Sequence, residues 1–279
     1  LPISLSISRV SEDRVEPLLA TIGLAQIHQQ ENQLHLADEC YQQVLPTIGD
    51  YSILNAGVVY LGKARIYYEW NDLDTAKKYA EQSLQLAQQF SQIVHRIILS
   101  EVFLARLQLA RGNVSSATAL LSNAEQITRQ HNLDNRISEI TAIQVLILLR
   151  QGNLTAADQL TLQDDIPISR ANVLLAQGNY TDALTLLECY RNQMEMKKWQ
   201  DKRLKTIVLQ AVAFHLSGDN NKALGYLREA LALAGPDGFI RLFLEEGAPM
   251  AELLSIAAGG AIHGDYVAKV LHAFESETS

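Results

Sequence analysis

Polar side chains recur on one face of a repeated helical pattern, and these are the residues best placed to bind a ligand. In each repeat an alanine marks the position where one helix packs closely on the next. The residues one, four and five places after this alanine lie on the inner face of the same helix. In the second repeat these are Arg65, Tyr68 and Glu69, a set that can form ion pairs and hydrogen bonds with a small polar ligand or a peptide. The corresponding candidates elsewhere are Gln26, Gln29 and Gln30 in the first repeat, Arg106 with the apolar Leu109 and Ala110 in the third, Asn172 in the fifth and His215 in the sixth.

These side chains do not form a catalytic constellation. The chain contains neither the G-x-S-x-G turn of a serine hydrolase nor the glycine-rich phosphate loop of a nucleotide-binding protein. Its seven histidines are scattered, and only His28 and His35 approach each other in the sequence, at a spacing too loose for a metal site. We therefore expect no enzymatic activity, no metal and no other cofactor.

Three further groups of residues have two interpretations each. Tyr60, Tyr67 and Trp70 surround the Tyr68 position, where Tyr67 and Trp70 are expected to pack between helices and Tyr68 to contact a ligand. Trp199 lies among five basic residues, which indicates either a solvated helix face or a site for an anion or a partner. The adjacent carboxylates Glu245 and Glu246 indicate an interface or a structural salt bridge.

A repeat of about 40 residues must position the candidate site. Each unit has a turn of Gly or Asn followed five residues later by alanine. The intervals between these alanines are 39, 41, 40, 26 and 40 residues, and the short one predicts shortened helices around Leu160 to Ala176, where Pro167 interrupts the chain. The six anchor positions are Ala37, Ala76, Ala117, Ala157, Ala183 and Ala223.

Each unit has the residues of two antiparallel helices. The turn glycines can adopt the left-handed conformation that ends a helix, and hydroxyl or amide side chains three or four residues later are expected to cap the next one. A lone pair of this kind cannot bury its apolar face, so neighbouring pairs stack. The pattern resembles tetratricopeptide repeats and predicts an all-α fold, a right-handed superhelix (α-solenoid) of about six helix-turn-helix repeats over residues 1–234. Residues 235–279 are expected to form a C-terminal helical cap of the same domain.

Composition excludes several classes of partner. The net charge is −8 and the only basic cluster, around Trp199, is short, so direct nucleic-acid binding by this segment is not expected. No apolar run approaches the roughly 20 residues of a membrane span, so we expect no membrane association. Cys40 and Cys189 are far apart in the sequence and favour a reducing compartment, the cytoplasm. The start at Leu1-Pro2, without Met, is expected for a piece of a longer chain.

The segment after the last repeat, GPDGFIRLFLEEGAPMAELL, occurs once and is the most distinctive stretch. From about Arg170 to Phe274 the chain resembles the sensor region of MalT-like, large ATP-binding LuxR-family (LAL) transcriptional regulators, whereas Leu1 to Ile168 matches only as generic repeats. The residues that carry the resemblance are Gly238, Phe239, Ile240, Arg241, Phe243, Glu246, Gly247, Pro249, Met250, Leu254, Tyr266, Val267 and Leu271.

The resemblance implies an effector-sensing and protein-interaction region that lies between an ATPase module and a C-terminal LuxR helix-turn-helix. Such a region would bind a small-molecule inducer or a regulatory protein in the superhelix groove and so release an autoinhibited monomer to assemble on DNA. The alternative is a generic tetratricopeptide-repeat scaffold that binds a peptide or protein partner. The sequence does not choose between the two.

Overall fold

A computed structural model describes residues 3–47, 53–89, 93–259 and 264–278, and within these ranges the regular secondary structure is helical throughout, without a strand. Short 3-10 turns follow α2, precede α7 and follow α12. The helices are α1 Ile3–Gln30, α2 Leu34–Val44, α3 Ile53–Glu69, α4 Leu73–Gln89, α5 Val94–Ala110, α6 Val114–Gln130, α7 Ile137–Arg150, α8 Leu154–Gln163, α9 Pro167–Ala176, α10 Tyr180–Lys197, α11 Gln200–Leu216, α12 Asn220–Ala234, α13 Arg241–Leu244, α14 Ala248–Gly259 and α15 Gly264–Thr278.

The first twelve helices form six consecutive pairs, which confirms the predicted all-α solenoid of helix-turn-helix repeats. Helices α8 and α9 have only 10 residues each, as the short interval predicts. Helix α9 begins at Pro167, where the missing N–H of proline costs no hydrogen bond because the first turn of a helix has unpaired N–H groups in any case. All six anchor alanines are fully buried, so the two helices of each pair can approach closely.

The turns between paired helices have the expected left-handed residue, but the expected caps were wrong. The turn residue has positive φ in every unit, from 62° at Asn32 to 88° at Gly218. The next helix begins only two residues later, so its N-cap is the residue that directly follows the turn residue, not the side chain two places further on. This N-cap is Gln33 in the first unit and Asn or Asp in the other five. Asn153 and Asp219 accept from the backbone N–H groups of Ala156 and Lys222, respectively.

The last part of the chain brings the two ends of the superhelix together. Helix α1 contacts α11, and the backbone N–H of His35 donates to Asp237 Oδ1 at 3.0 Å. The segment after α12 crosses the inside of the superhelix, where α13 contacts both α3 and α11. The main apolar core accordingly combines residues of α1, α2 and α3 with residues of α9 to α15.

Gly62 is required for packing in the first two repeats. It lies inside α3, and a Cβ at this position would lie 2.4 Å from Cζ and Oη of the fully buried Tyr41. The Tyr41 hydroxyl also donates to Gln29 Oε1 at 2.8 Å, so the ring cannot move aside without losing that bond. We expect Gly62→Ala to lower the free energy of unfolding by about 1–3 kcal/mol through overpacking, measured by urea denaturation.

Gly225 is the matched control for this prediction. It lies inside α12, is exposed, and a Cβ there would meet no heavy atom within 4 Å. Gly225→Ala should therefore stabilise the protein by about 0.5–1 kcal/mol through helix propensity alone. Equal stabilisation by the two substitutions would contradict the packing role of Gly62.

Candidate functional site

The inner face of the superhelix borders an open cavity of about 980 Å³. The first helix of every pair contributes to its wall, and the segment after α12 closes one side through Phe239, Leu242 and Glu245. Six of the seven predicted site residues line this one cavity: Gln26, Arg65, Tyr68, Glu69, Arg106 and Asn172. The inner-face periodicity therefore placed these side chains correctly, and their binding of a ligand stays a prediction.

His215 does not line the cavity. Its ring nitrogens lie 2.8 Å from Asn220 Oδ1 and 3.4 Å from Glu252 Oε2. Helix α14 packs against α11 on this side, and in the C-terminal half of α11 the residues that line the cavity are instead Val212 and Leu216. The repeat register alone could not reveal this, because α14 lies outside the repeats.

Tyr68 and Arg106 hold a carboxylate of the chain itself. The Tyr68 hydroxyl donates to Glu245 Oε1 at 2.7 Å, and the Arg106 guanidinium donates to both oxygens of Glu245 at 2.9 and 2.8 Å. Lys205 completes the cluster, with Nζ 3.0 Å from Glu245 Oε2 and 2.7 Å from Glu246 Oε1. The paired carboxylates Glu245 and Glu246 therefore form a structural salt bridge, one of their two predicted roles. Tyr68 is only 2% exposed.

Backbone hydrogen bonds fix the same segment to the second repeat. The Ile240 N–H donates to the Glu69 carbonyl at 2.7 Å, and Trp70 Nε1 donates to the Asp237 carbonyl at 2.8 Å. Arg241 is 2% exposed and donates to Asn71 Oδ1 at 3.2 Å and to Glu277. The distinctive stretch thus joins the second and third repeats to the sixth across the inside of the superhelix.

The aromatic residues around Tyr68 mostly pack against one another. Tyr67 contacts Trp70 and Tyr79, with ring centroids 5.3 and 5.5 Å apart, in agreement with the expected packing role of Tyr67 and Trp70. Tyr60 lies 6.1 Å from Tyr79. The stretch therefore forms part of the helix interface and leaves little ring surface for the cavity.

The basic residues around Trp199 do not form one patch. Lys197 and Lys202 lie over the Trp199 ring, with Nζ 5.0 and 4.1 Å from its centroid. Arg203 pairs with Glu229, whereas Lys202 and Lys205 line the cavity. Because Lys202 and Lys205 face the inside of the superhelix, the cluster is not a single solvated helix face, and its binding of an anion or a partner stays a prediction.

An ion pair that the sequence analysis missed joins the first two repeats. Lys63, on α3, pairs with Asp38, on α2, and the side chains are 1% and 7% exposed. The Lys63 ammonium also lies 5.4 Å from the ring centroids of both Tyr67 and Tyr79. Neither residue stood out in the sequence, because each occupies an ordinary position of its helix.

Glu69 is an unusual carboxyl at the cavity wall. Burial raises its pKa from 4.5 to about 7, and the charge of Glu245 adds to this, while Arg106, Lys205 and Arg241 oppose it. Among the described residues, Glu69 Oε2 has no hydrogen-bond partner. At neutral pH this side chain is therefore divided between its acid and carboxylate forms.

The shift of Glu69 predicts that stability falls as pH rises from about 4.5 to 7. In this window the folded chain retains a proton at Glu69 that the unfolded chain releases. The unfolding equilibrium constant therefore rises with pH through this group, by at most about tenfold per pH unit. We expect Glu69→Gln to remove that part of the slope in urea denaturation measured at several pH values. An unchanged slope would show that Glu69 ionises normally.

The described residues contain no group of three or more His, Cys, Asp or Glu side chains placed to hold a metal ion. His28 instead lies 2.6 Å from Gln33 Oε1, and His35 packs against Trp70. His263 lies outside the described residues. None of the helices in the described ranges has the length and hydropathy needed to cross a membrane.

Comparison with known proteins places the repeats in a family. The profile of the MalT-like TPR region matches residues 4–259. The HTH-type transcriptional regulators MalT of Vibrio campbellii and of Klebsiella pneumoniae are 22% and 26% identical to the chain over 207 and 208 residues. Each alignment covers 69% of this chain but only 22% of the relative, so the chain spans about a fifth of their length.

A solved structure shares the fold. The crystal structure of a Rap protein complexed with Competence and Sporulation Factor superposes with a TM-score of 0.54 at 11% identity, and the match covers 94% of this chain and 87% of the Rap chain. At that identity the likeness concerns the fold alone. The family match over most of the chain and the six stacked helix pairs together confirm the predicted resemblance and extend it to the first half of the chain, which had matched only as generic repeats: the chain belongs to the MalT-like TPR region family.

Proposed function

We propose that this region is the effector-sensing part of a MalT-like bacterial transcriptional regulator, and that the effector binds in the cavity of the superhelix. The observation that carries the proposal is the convergence of six inner-face polar residues on one cavity of about 980 Å³, a volume typical of small-molecule sites. The similarity to HTH-type transcriptional regulators supports the regulatory context. The ATPase and helix-turn-helix domains of such a regulator would be the partners within one longer cytoplasmic chain.

The cavity wall suggests how binding would be transmitted. Phe239, Leu242 and Glu245 belong to the segment that crosses the superhelix, and they share the cavity with the repeat residues Arg65 and Asn172. A ligand that contacts both the crossing segment and the repeats would bind with different affinity to the protein with the segment docked and to the protein with the segment displaced. Such a difference is the requirement for shifting a regulatory equilibrium. We propose no catalysis by this region.

The test is a thermal-shift screen of the chain against sugars, amino acids and organic acids, with a variant that fills the cavity. Ala176 ends α9, is exposed and lines the cavity, so Ala176→Trp should block it without disturbing the core. Ala232, exposed on α12 and outside the cavity wall, supplies the control Ala232→Trp. A ligand at about 100 times its Kd should stabilise the native state by about 2.7 kcal/mol.

The proposal predicts compounds that stabilise the unmodified chain and Ala232→Trp but not Ala176→Trp. Equal stabilisation of all three proteins would place binding outside the cavity and contradict the proposal. A panel without any stabilising compound would favour the alternative, a repeat scaffold for a peptide or protein partner.

A further inference from the structure

Arg65 is a cation in the cavity wall that forms no ion pair within the described part of the chain. It lies on α3, one helical turn before Glu69, and its side chain is exposed to the cavity. Among the residues that the structure describes, none forms a hydrogen bond or ion pair with its guanidinium. By contrast, Arg106 and Lys205 in the same wall are satisfied by Glu245 and Glu246.

The surroundings of Arg65 are poor in compensating charge. Burial lowers the pKa of Arg65, and the nearby Arg106 acts in the same direction, although Tyr41 and Glu139 oppose this. Arginine nevertheless stays protonated at physiological pH, so the side chain holds five N–H donors toward the cavity. A planar guanidinium of this kind matches a carboxylate or another oxyanion with two parallel hydrogen bonds.

The cavity as a whole is more positive than the protein. Its wall has five Lys and Arg residues against four Asp and Glu residues, whereas the complete chain has a net charge of −8. Glu69, the carboxyl nearest to Arg65 in the sequence, is partly protonated at neutral pH because its pKa is raised to about 7. The cavity therefore favours an anionic or neutral ligand over a cation.

The rest of the wall is aliphatic. Helices α5, α7 and α9 supply branched side chains, and of the three lining aromatic rings two, Tyr68 and Phe239, are buried at 2% and 6% exposure. Such a wall can bind the alkyl part of a ligand by burying its apolar surface. It offers little aromatic surface on which a sugar or an aromatic ligand could stack. The aliphatic lining consists chiefly of Leu109, Ile143, Leu146, Leu149, Leu175 and Leu216.

We infer that the effector of this cavity is an organic anion with an aliphatic body, and that Arg65 binds its carboxylate or equivalent oxyanion. This inference rests on the proposed function. The side-chain amides of Gln26 and Asn172, which have no hydrogen-bond partner among the described residues, would add polar contacts near the anionic group. The shared chemistry fits an alkyl carboxylic acid or the C-terminus of a short apolar peptide.

The inference is tested by isothermal titration of the chain with matched charged and neutral probes. Octanoate is compared with octanamide, and a short N-acetylated Ala/Leu peptide with a free C-terminus is compared with the same peptide amidated. We expect at least one charged probe to bind about tenfold or more tightly than its neutral counterpart, as for a hydrogen-bonded ion pair. The two arms distinguish an acid effector from a peptide.

Arg65→Gln should abolish this preference for charge. The matched control is Arg228→Gln, because Arg228 is exposed on α12, is outside the cavity wall and has no ion pair among the described residues. Unfolding curves of both variants verify that each is folded. Loss of the preference in Arg65→Gln alone supports the inference.

Two outcomes would overturn the inference and leave the proposed function standing. One is a charged probe whose binding is blocked by Ala176→Trp but unaffected by Arg65→Gln. The other is a neutral compound that requires the open cavity while both charged probes fail to bind. Charged probes that still bind equally to Ala176→Trp would instead contradict the proposed site itself.

Discussion

Replacing Asp38 by alanine is expected to destabilise the protein by about 3–5 kcal/mol, the usual cost of removing one partner of a buried ion pair. The substitution would leave the Lys63 ammonium 1% exposed between the rings of Tyr67 and Tyr79, without its carboxylate. It would also remove the acceptor of Gln42 Nε2, which donates to Asp38 Oδ2 at 2.5 Å. The measurement is the free energy of unfolding in urea.

The adjacent Glu39 is the control for Asp38. Its side chain is exposed on the other side of α2 and has no ion pair among the described residues, so Glu39→Ala should change stability by less than about 0.5 kcal/mol. Combining Asp38→Leu with Lys63→Met should recover most of the loss, because an apolar pair of similar volume carries no desolvation cost. Equal effects of Asp38→Ala and Glu39→Ala would show that the ion pair is not a source of stability.

Glu245→Ala is expected to have the second-largest effect, a loss of about 3 kcal/mol, since it leaves Arg106 and Lys205 without their shared carboxylate. We expect the lower end of the range because the Arg106 side chain is 35% exposed and retains contact with water. Burial alone would raise the pKa of Glu245, but Arg106 and Lys205 outweigh it and hold the pKa well below its ordinary value. The carboxylate is thus charged and stabilising above the ordinary pKa of a glutamate, and this stabilisation is lost as pH falls through the lowered pKa.

Glu245→Ala also tests whether the segment that crosses the superhelix can detach. We expect faster hydrogen exchange at the Ile240 N–H, which donates to the Glu69 carbonyl. Glu252→Ala is the control, because Glu252 is 70% exposed and its side chain lies near His215, outside the Glu245 cluster. Unchanged stability and exchange in Glu245→Ala would contradict a role of the ion-pair cluster in holding the segment.

The two predictions separate two functions of charge in this protein. The Asp38–Lys63 pair joins neighbouring repeats and lies away from the cavity wall. The Glu245 cluster joins distant repeats through the segment that also borders the cavity. In the proposed function only the Glu245 cluster would respond to an effector, because only its residues would contact both the ligand and the crossing segment.

The sequence by itself determined the repeats. Helix length, the left-handed turns and the buried alanines all follow from interactions within about 40 residues, and these appear as a regular spacing of residue types. The same local periodicity placed Arg65, Arg106 and Asn172 on the inner face. It located the shortened pair as well, because Pro167 and the 26-residue interval are visible without a structure.

Only the tertiary structure decided how the ends of the superhelix meet. Glu245 contacts Arg106 across 139 residues of sequence, and His35 contacts Asp237 across 202. These contacts depend on the small rotation between successive repeats, which accumulates over six pairs and leaves no mark in the spacing of any one of them. For the same reason the sequence assigned His215 to the cavity, although α14 covers that side of α11, and it could not show that Tyr68 binds the chain's own carboxylate.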